Sequence, residues 1–529
     1  MSERPRSIRW WPLGLIGLAG GGLLYAVQVN GFSLIRPSRD FTIVVGLINL
    51  AVYVWARAWS RLPPRMQFVA IALLVGVQAT LLSILRLDGF AGDGRILVKW
   101  RWTSTPEERL GDYSSHFKER GSLANLAEPS ATDSPSFRGA DRTGQYRIPE
   151  LDLNWEIHPP RELWRHPVGR GWSSFAVAGE FCVTQEQRDA GEAVVCYRLE
   201  TGEEVWRHLD AAHFEEVTSG PGPRATPTIH EGRVYTFGAT AILNCLDGAD
   251  ARVVWSCQIA KESPPILFGY VSSPLVYGQN VLVTPGGQAG SIVAVDRDTG
   301  EIAWAQGLSK AVYSSPQLFV MGREAQILVF DATGLAGHDA VTGDTRWMFP
   351  WGDNSDERVN VCQPVILRAS TQKGRQTAQE NQILISSGYG RGSALISVTR
   401  NSREEWTVNE VWRASTLKSK FSSVVVHGGH AFGLDDGILT CISLADGTRR
   451  WKQGRYGHGQ LILVNDMLLI QTESGRIVLV KADPETFSEV ASLDALSERT
   501  WNHPVVAGRH LLVRNDREAV CYLLPVLTP

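Results

Sequence analysis

A chain of 529 residues is too long for one ordinary domain, and 43% hydrophobic residues with a mean hydropathy of −0.10 mark most of it as globular. The net charge of −3 is unevenly spread: residues 1–101 carry twelve Lys and Arg against four Asp and Glu, so the remainder is acidic and unsuited to nucleic acid. Seven scattered cysteines without a C-x-x-C pair give no support to a zinc ribbon, a thioredoxin-type site or a c-type haem site.

Three apolar stretches come first: Trp10 to Val29, Phe41 to Trp59 and Met66 to Leu85. Each approaches the ~20 residues that cross a bilayer. Arg4, Arg6 and Arg9 precede the first, and Arg57, Arg61 and Arg65 surround the second connection; only Arg36 and Arg39 lie in the loop between. That imbalance places the N-terminus inside and, after three spans, the C-terminal part outside the cytoplasm. The first stretch reads as an anchor rather than a cleaved signal, because its apolar run is long and no clear A-x-A site follows. Residues 1–88 are thus expected to form a three-helix membrane anchor. Residues 89–136 read as a juxtamembrane linker. In it, Lys99-Trp100-Arg101-Trp102 suits the headgroup zone, a helix is expected near Pro106 to Arg120, and the tract Glu128 to Pro135 reads as a tether.

From residue 137 onward one frame recurs. Val195 to Trp206, Val293 to Trp304, Gly337 to Trp347 and Cys441 to Trp451 each read as a strand, a Gly-containing turn and a second strand carrying Trp; Cys245 to Trp255 is a looser copy. A period of roughly 40–50 residues with all-β content is the signature of a propeller. Blade openings carry a small polar pair, often before Pro: Ser173-Ser174, Thr226-Pro227, Ser273-Pro274, Ser315-Pro316, Gln363-Pro364, Ser422-Ser423, His503-Pro504 and, as a poor copy, Gly459-Gln460. Closing strands end near Trp164, Trp206, Trp255, Trp304, Trp347, Trp412, Trp451 and Val490. Both counts give eight blades, or seven if the Val490 unit is not a true blade. They are out of phase, so the strand Glu162 to Val168 should complete the blade begun by Asn502. Ten residues before the Trp stand Cys196, Cys245, Ala294, Gly337 and Cys441, with Cys521 a further case; a slot that accepts Cys, Ala or Gly wants a small side chain, here expected to lie under a neighbouring blade.

Ala294-Val295-Asp296, Thr299-Gly300 and Trp304 match in full the frame A-x-D-x-x-T-G-x-x-x-W, the docking motif of the pyrroloquinoline-quinone (PQQ) repeat. Residues 137–529 therefore resemble PQQ-like propellers, and Phe137-Arg138-Gly139-Ala140-Asp141-Arg142-Thr143-Gly144 resembles the lead-in of many BamB-like proteins. The resemblance implies Trp164, Trp206, Trp255, Trp304, Trp347, Trp412 and Trp451 as packing devices between blades. It identifies a fold and not an activity. One branch of the family holds quinoprotein dehydrogenases, which bind PQQ with Ca²⁺ held by carboxylate and amide oxygens. This chain has no Cys-Cys pair, no assignable calcium set and short interstrand loops. The other branch is cofactor-free and binds partners. The expected function is accordingly a non-catalytic binding or scaffold protein of the cell envelope, without cofactor or metal, with a protein or polymer partner besides the bilayer. The alternative is a PQQ- and Ca²⁺-dependent membrane dehydrogenase oxidising an alcohol or sugar. His427 and His430 belong to a turn in this reading rather than a metal site. If each opening strand starts at the central channel, one mouth is lined by Trp172, Arg224, Val271, Tyr313, Val361, Phe421, His458 and Trp501. Of these, Trp172, Arg224, Tyr313, Phe421, His458 and Trp501 are the candidate partner-binding residues, because aromatics with Arg are what interface hot spots use; the competing reading is that they stack on one another and plug the channel.

Overall fold

The structure is a computed structural model that describes residues 50–55, 63–114, 123–126, 129–188, 191–260, 267–309, 312–352, 359–367, 371–372, 375–376 and 381–527. It divides into two compact units, residues 1–105 with 217–219, and residues 106–216 with 220–529.

In the first unit a helix of 21 residues, Pro64–Ile84, runs directly into an antiparallel hairpin, Leu85–Phe90 with Ile96–Trp100. The hairpin stands where the sequence reads as linker. Among the described residues no helix is long and apolar enough to cross a membrane. The first two expected spans lie almost wholly outside the described residues, as do the side chains of Ala70, Leu74, Leu81 and Leu82 in the third.

The second unit is an eight-bladed propeller. Seven blades are consecutive four-stranded antiparallel sheets spanning residues 176–210, 228–258, 275–306, 317–350, 365–414, 425–455 and 460–494, numbered 1 to 7 in that order. Blade 8 takes three strands from residues 505–523 and its fourth from Arg161–Pro167, with Cys521 opposite Trp164. The closing strand is the one expected from the mismatch of the two counts. The Val490 unit is a true blade, its fourth strand Glu489–Asp494 pairing with Arg476–Lys481. First strands of neighbouring blades touch, for example 176–178 with 228–230 and 425–427 with 460–464, so the first strand of each blade is the innermost. In the Arg368 to Asn381 insertion of blade 5, the described part is a two-residue-per-strand hairpin, Thr371–Gln372 with Arg375–Gln376.

Apolar burial follows the same plan. Eight core clusters form, each filled from two adjacent blades, and one of them joins blade 8 to blade 1 through Trp164, Leu512, Phe175 and Val177. An open row of eight blades would bury only seven such interfaces; the eighth is what closure adds, covering the bare faces of blades 8 and 1, while the strand Arg161–Pro167 pairs the free edge of Glu518–Leu523.

The polar pairs that open each blade have a job at the axis. Backbone N–H groups donate to hydroxyls of the next blade: Ser174 to Thr226 Oγ1 (3.3 Å), Thr226 to Ser273 Oγ (3.0 Å), Ser273 to Ser315 Oγ (2.9 Å) and Gln363 to Ser423 Oγ (3.2 Å). Ser174 Oγ donates to the His503 carbonyl at 2.6 Å and links blade 1 to blade 8. Inner strands are too crowded to leave these donors to water, so a short side-chain acceptor is required at each.

One expectation is corrected by the packing. The tract before residue 137 does not hang free: Ala124 and Leu126 are buried against blades 1 and 2, Ser134 pairs with Val177, and the Ile229 N–H donates to the Pro135 carbonyl. The expected helix is shorter in its described part, Pro106–Ser114. The small-residue slot does lie under a neighbouring blade, as Cys196 packs with Ile229 and Val234 of blade 2, Cys245 with Val281 of blade 3, Ala294 with Ile327 of blade 4 and Cys441 with Leu461 of blade 7, and the strand register adds a second reason for its size. Cys196, Cys245, Ala294, Gly337, Cys441 and Cys521 are each the direct cross-strand partner of their own blade's Trp. All seven cysteines are free thiols.

Candidate functional site

The turn of the docking frame builds itself. Asp296 Oδ1 accepts from the backbone N–H of Asp298 (3.0 Å) and Thr299 (2.9 Å) and from the Thr299 hydroxyl (3.1 Å). The Thr299 N–H is the chief cause holding the Asp296 carboxyl below its ordinary range. Gly300 takes φ +77°, which a side chain rarely adopts, and a Cβ there would lie 2.8 Å from the Trp255 ring of the preceding blade. Trp255 Nε1 then donates to the Arg297 carbonyl at 2.8 Å. The same bond joins Trp164 to Leu199 (2.8 Å), Trp206 to Gly248 (2.9 Å), Trp412 to Leu444 (2.8 Å) and Trp451 to Asp483 (2.9 Å). Two rings depart. Trp347 donates to Gln326 Oε1 within its own blade (2.6 Å), because the blade 5 turn, Asn401 to Glu405, has no Thr-Gly pair. Trp304 packs against Gly343 with its Nε1 unpartnered. These tryptophans pack at the joints between blades.

At the mouth where the inner strands begin, four of the candidate residues meet. Trp172 and Trp501 lie 4.9 Å apart between ring centroids, Phe421 and Trp501 6.3 Å, and Phe421 and His458 5.5 Å. The guanidinium of Arg499 sits 4.8 Å from the Trp172 ring and 4.6 Å from the Trp501 ring, and the Lys420 ammonium 4.8 Å from Phe421 and 5.1 Å from Tyr389. Glu473 fixes the group: Oε1 accepts from Trp501 Nε1 (2.9 Å) and Oε2 from the His458 N–H (3.0 Å). Gln460 Nε2 ties the Phe421 and Trp501 carbonyls together, each at 3.0 Å. The result is a stacked surface of aromatic faces and cations, partly open at Phe421, His458 and Trp501. Tyr313 belongs to a separate pair with Phe268 (5.5 Å), and Arg224 turns back to the carbonyls of Gly220 and Gly222 and over the Phe214 ring at 4.5 Å. The stacking expected as the alternative to partner binding is therefore real for Trp172, Phe421, His458 and Trp501. Arg499, Lys420 and Glu473 carried no sequence signal beyond standing one or two positions from a mouth aromatic, or on a neighbouring blade.

The opposite end of the channel is filled by the lead-in segment. Gly179, on the turn after the inner strand of blade 1, donates its N–H to Asp133 Oδ2, and Gly508, on the same turn of blade 8, donates to the Thr132 carbonyl. Gln145–Tyr146 adds a parallel strand to blade 7. From this base two buried arginines reach inward. Arg138 donates to the Val424 carbonyl of blade 6 (3.0 Å); Arg142 donates to the Ser273 and Pro274 carbonyls at the start of blade 3 (2.9 and 2.8 Å). Sequence reading recognised the segment but had no means of placing its arginines in the channel.

Between blades 1 and 2 lies a buried polar cluster that the sequence did not flag. Glu192 and Asp210 are cross-strand partners in blade 1, Asn244 Nδ2 donates to Asp210 Oδ2 (2.7 Å), and the Thr240 hydroxyl donates to Glu192 Oε2 (3.4 Å). Burial pushes the Glu192 carboxyl up to about 7. His427 and His430 flank a hairpin turn, with His430 Nδ1 2.9 Å from the Gly428 carbonyl oxygen.

Comparison with known proteins agrees with this construction. The family described as "Outer membrane protein assembly factor BamB" (PQQ_2) matches residues 190–453. This is a PQQ-repeat β-propeller. The outer membrane protein assembly factor BamB of Burkholderia pseudomallei is 23% identical over 355 residues, which are 60% of this chain and 87% of that one. The structure of BamB from Moraxella catarrhalis superposes with a TM-score of 0.50 at 13% identity, covering 70% of this chain and 99% of that one. The quinohemoprotein alcohol dehydrogenase of Comamonas testosteroni superposes at 0.55 with 11% identity, covering 77% and 82%. At those identities the two structures speak for the propeller fold alone.

Proposed function

We propose that this PQQ-repeat propeller is a membrane-anchored, extracytoplasmic, non-catalytic binding protein of the cell envelope, and that its aromatic mouth receives a protein partner. The observation that carries the reading is the asymmetry of the channel. One end is closed by the chain's own residues 132–146, while the other presents Trp501, Phe421, His458 and Lys420 on a base fixed by Glu473 and Gln460. Rigid aromatics beside cations supply large contact area with little entropy left to lose. The relative described as an outer membrane protein assembly factor supports a protein as the partner. The anchor and its orientation rest on the three apolar stretches and the arginine imbalance around them.

A quinone cofactor fits these residues poorly. A planar cofactor in a propeller channel needs an open aromatic face on which to stack, but Trp172 and Trp501 pack on each other and the chain's own Arg499 sits over both rings. A calcium ion needs several oxygen ligands converging, and no group of three or more His, Cys, Asp or Glu able to hold a metal occurs among the described residues. The test is capture of envelope proteins on the full-length protein and on Trp501→Ala/Phe421→Ala. Loss of a partner from the double variant, with its melting temperature kept, is expected. Equal capture refutes the mouth, and a saturable calorimetric signal with PQQ and Ca²⁺ refutes the cofactor-free reading.

A further inference from the structure

The hairpin Leu85–Phe90/Ile96–Trp100 is two-faced. Cross-strand partners share a face, and the register pairs Leu85 with Trp100 and Leu87 with Val98 on one side, Arg86 with Lys99 on the other. The first side is apolar and open: Leu87 is 53% exposed, Val98 56% and Trp100 49%. Trp102, 70% exposed, extends it by stacking on Trp100 with ring centroids 5.0 Å apart and planes 9° from parallel. On the second side Lys99 pairs with Asp88 at 3.7 Å. Alternation has thus sorted six strand positions into an apolar and a charged sheet face, although the hairpin has only two strands and no core to cover the apolar one.

What covers it is set by where the hairpin begins. The helix Pro64–Ile84 carries no charged residue after Arg65, and Phe68, Val69, Leu73 and Val77 on it are more than half exposed. The hairpin follows at the next residue and is bolted to the helix end, because the Arg101 N–H donates to the Ile84 carbonyl at 2.9 Å. That bond satisfies one of the carbonyls that a helix C-terminus leaves without a partner. An apolar sheet face with two stacked indoles is therefore held at the point where an uncharged helix gives way to Arg86, Asp88 and Lys99. Indoles are suited to the headgroup level of a bilayer, where one edge is apolar and the other wet.

We infer that this hairpin lies on the bilayer, with Leu87, Val98, Trp100 and Trp102 seated in the lipid interface and the half-buried side of Arg86 and Lys99 turned away from it. It acts as a float that fixes the depth at which the anchor ends. The inference rests on the membrane-anchored reading, and its test separates the two. Full-length protein is reconstituted into vesicles of phosphatidylethanolamine and phosphatidylglycerol, with and without bromine on the upper acyl carbons. Co-flotation reads anchoring, and bromine quenching of tryptophan emission reads contact with the interface. Wild type is expected to float and to be quenched. Trp100→Leu/Trp102→Leu should float equally and lose part of that quenching. Trp102→Leu alone, which lies outside the strands and leaves the hairpin ladder intact, should lose a smaller part. Failure of the wild type to float overturns the anchor and the hairpin together. Flotation with the same quenching in all three proteins overturns the hairpin alone, and assigns the apolar face to a protein or to a second copy of the chain.

Discussion

Replacing Glu192 by Gln should make the propeller more stable at alkaline pH and leave it nearly unchanged at pH 4.5 or below. Glu192 is 3% exposed, and its Oε1 has no hydrogen-bond partner. Burial is the main cause that lifts its pKa from 4.5 to about 7; the nearby Arg224 opposes the shift and Asp210 adds to it. The folded protein thus holds a proton on Glu192 that the unfolded chain has lost between about pH 4.5 and 7. More protons bound in the folded state means that stability falls as pH rises through this window, and the whole loss is present above the folded pKa. A shift of this size corresponds to ~3 kcal/mol at 1.36 kcal/mol per pH unit. Gln keeps the shape and carries no charge at any pH. Chemical denaturation of residues 106–529 at pH 4.5, 6 and 8.5 reads the effect. The gap between variant and wild type should be near zero at pH 4.5, open through pH 6, and approach ~3 kcal/mol at pH 8.5. Parallel curves for the two proteins would refute a neutral buried Glu192, and a gap that closed as pH rose would show a carboxylate already ionised and paired.

Three further outcomes follow from the joints between blades. Trp206→Phe removes the bond to the Gly248 carbonyl, whereas Trp304→Phe removes none, so calorimetry should find the first costlier by ~1 kcal/mol; Trp304→Ala should still cost ~3–5 kcal/mol through lost packing. Gly447 and Gly508 both have positive φ, but only at Gly447 would a Cβ strike a ring, 2.6 Å from Trp412, so Gly447→Ala should lower the melting temperature clearly more than Gly508→Ala. A fragment of residues 137–529 retains the closing strand and should be monomeric in solution, while residues 171–529 leave the edge of Glu518–Leu523 unpaired and should aggregate; equal behaviour by light scattering would refute closure by Arg161–Pro167.

What the sequence announces is whatever repeats within one blade. Asp296, Thr299, Gly300 and Trp304 stand at fixed spacings because a turn and a ladder are local, and so the blade number and the out-of-phase closing strand were legible. Contacts that join distant segments leave no such trace. Arg138 meets the Val424 carbonyl across 286 positions, and nothing in either neighbourhood specifies the other. The slot occupied by Cys196 and Cys441 was legible as small and as lying under a neighbouring blade, because it recurs at one offset from the Trp; its pairing with that Trp across the same blade was not read. Trp347 follows the motif on its own blade except for Gly337 in the Ala position, yet the partner it needs is on the next, where Asn401 to Glu405 departs from the pattern. The mouth was legible in its aromatics, which recur at one offset, and illegible in Arg499, Lys420 and Glu473, which hold those aromatics from positions of no fixed offset.

The order of the chain adds a constraint that the finished ring conceals. Arg161–Pro167 and the plug at residues 132–146 are made first, but their partners in blade 8 end at Leu523. Until that blade exists, the closing strand has no ladder, its own edges are unpaired, and the apolar face of blade 1 that blade 8 will cover is bare. The entropy of closing so long a loop grows only slowly with its length, so distance along the chain is no great thermodynamic obstacle. Its cost is kinetic, because non-local pairing is slow and exposes edges while it waits. The bonds of the plug to the early blades need no part of blade 8. Pro135 can accept from Ile229, and Arg142 from its side can reach Ser273 and Pro274, as soon as blades 2 and 3 are formed, which sets the N-terminal segment on the axis before blade 8 is complete. Thr132, which Gly508 later bonds, is then already in place beside the first strand of the last blade. On this view the buried arginines hold the closing strand near the axis, and their carbonyl partners on blades 3 and 6 give the ring its register before its final joint is made.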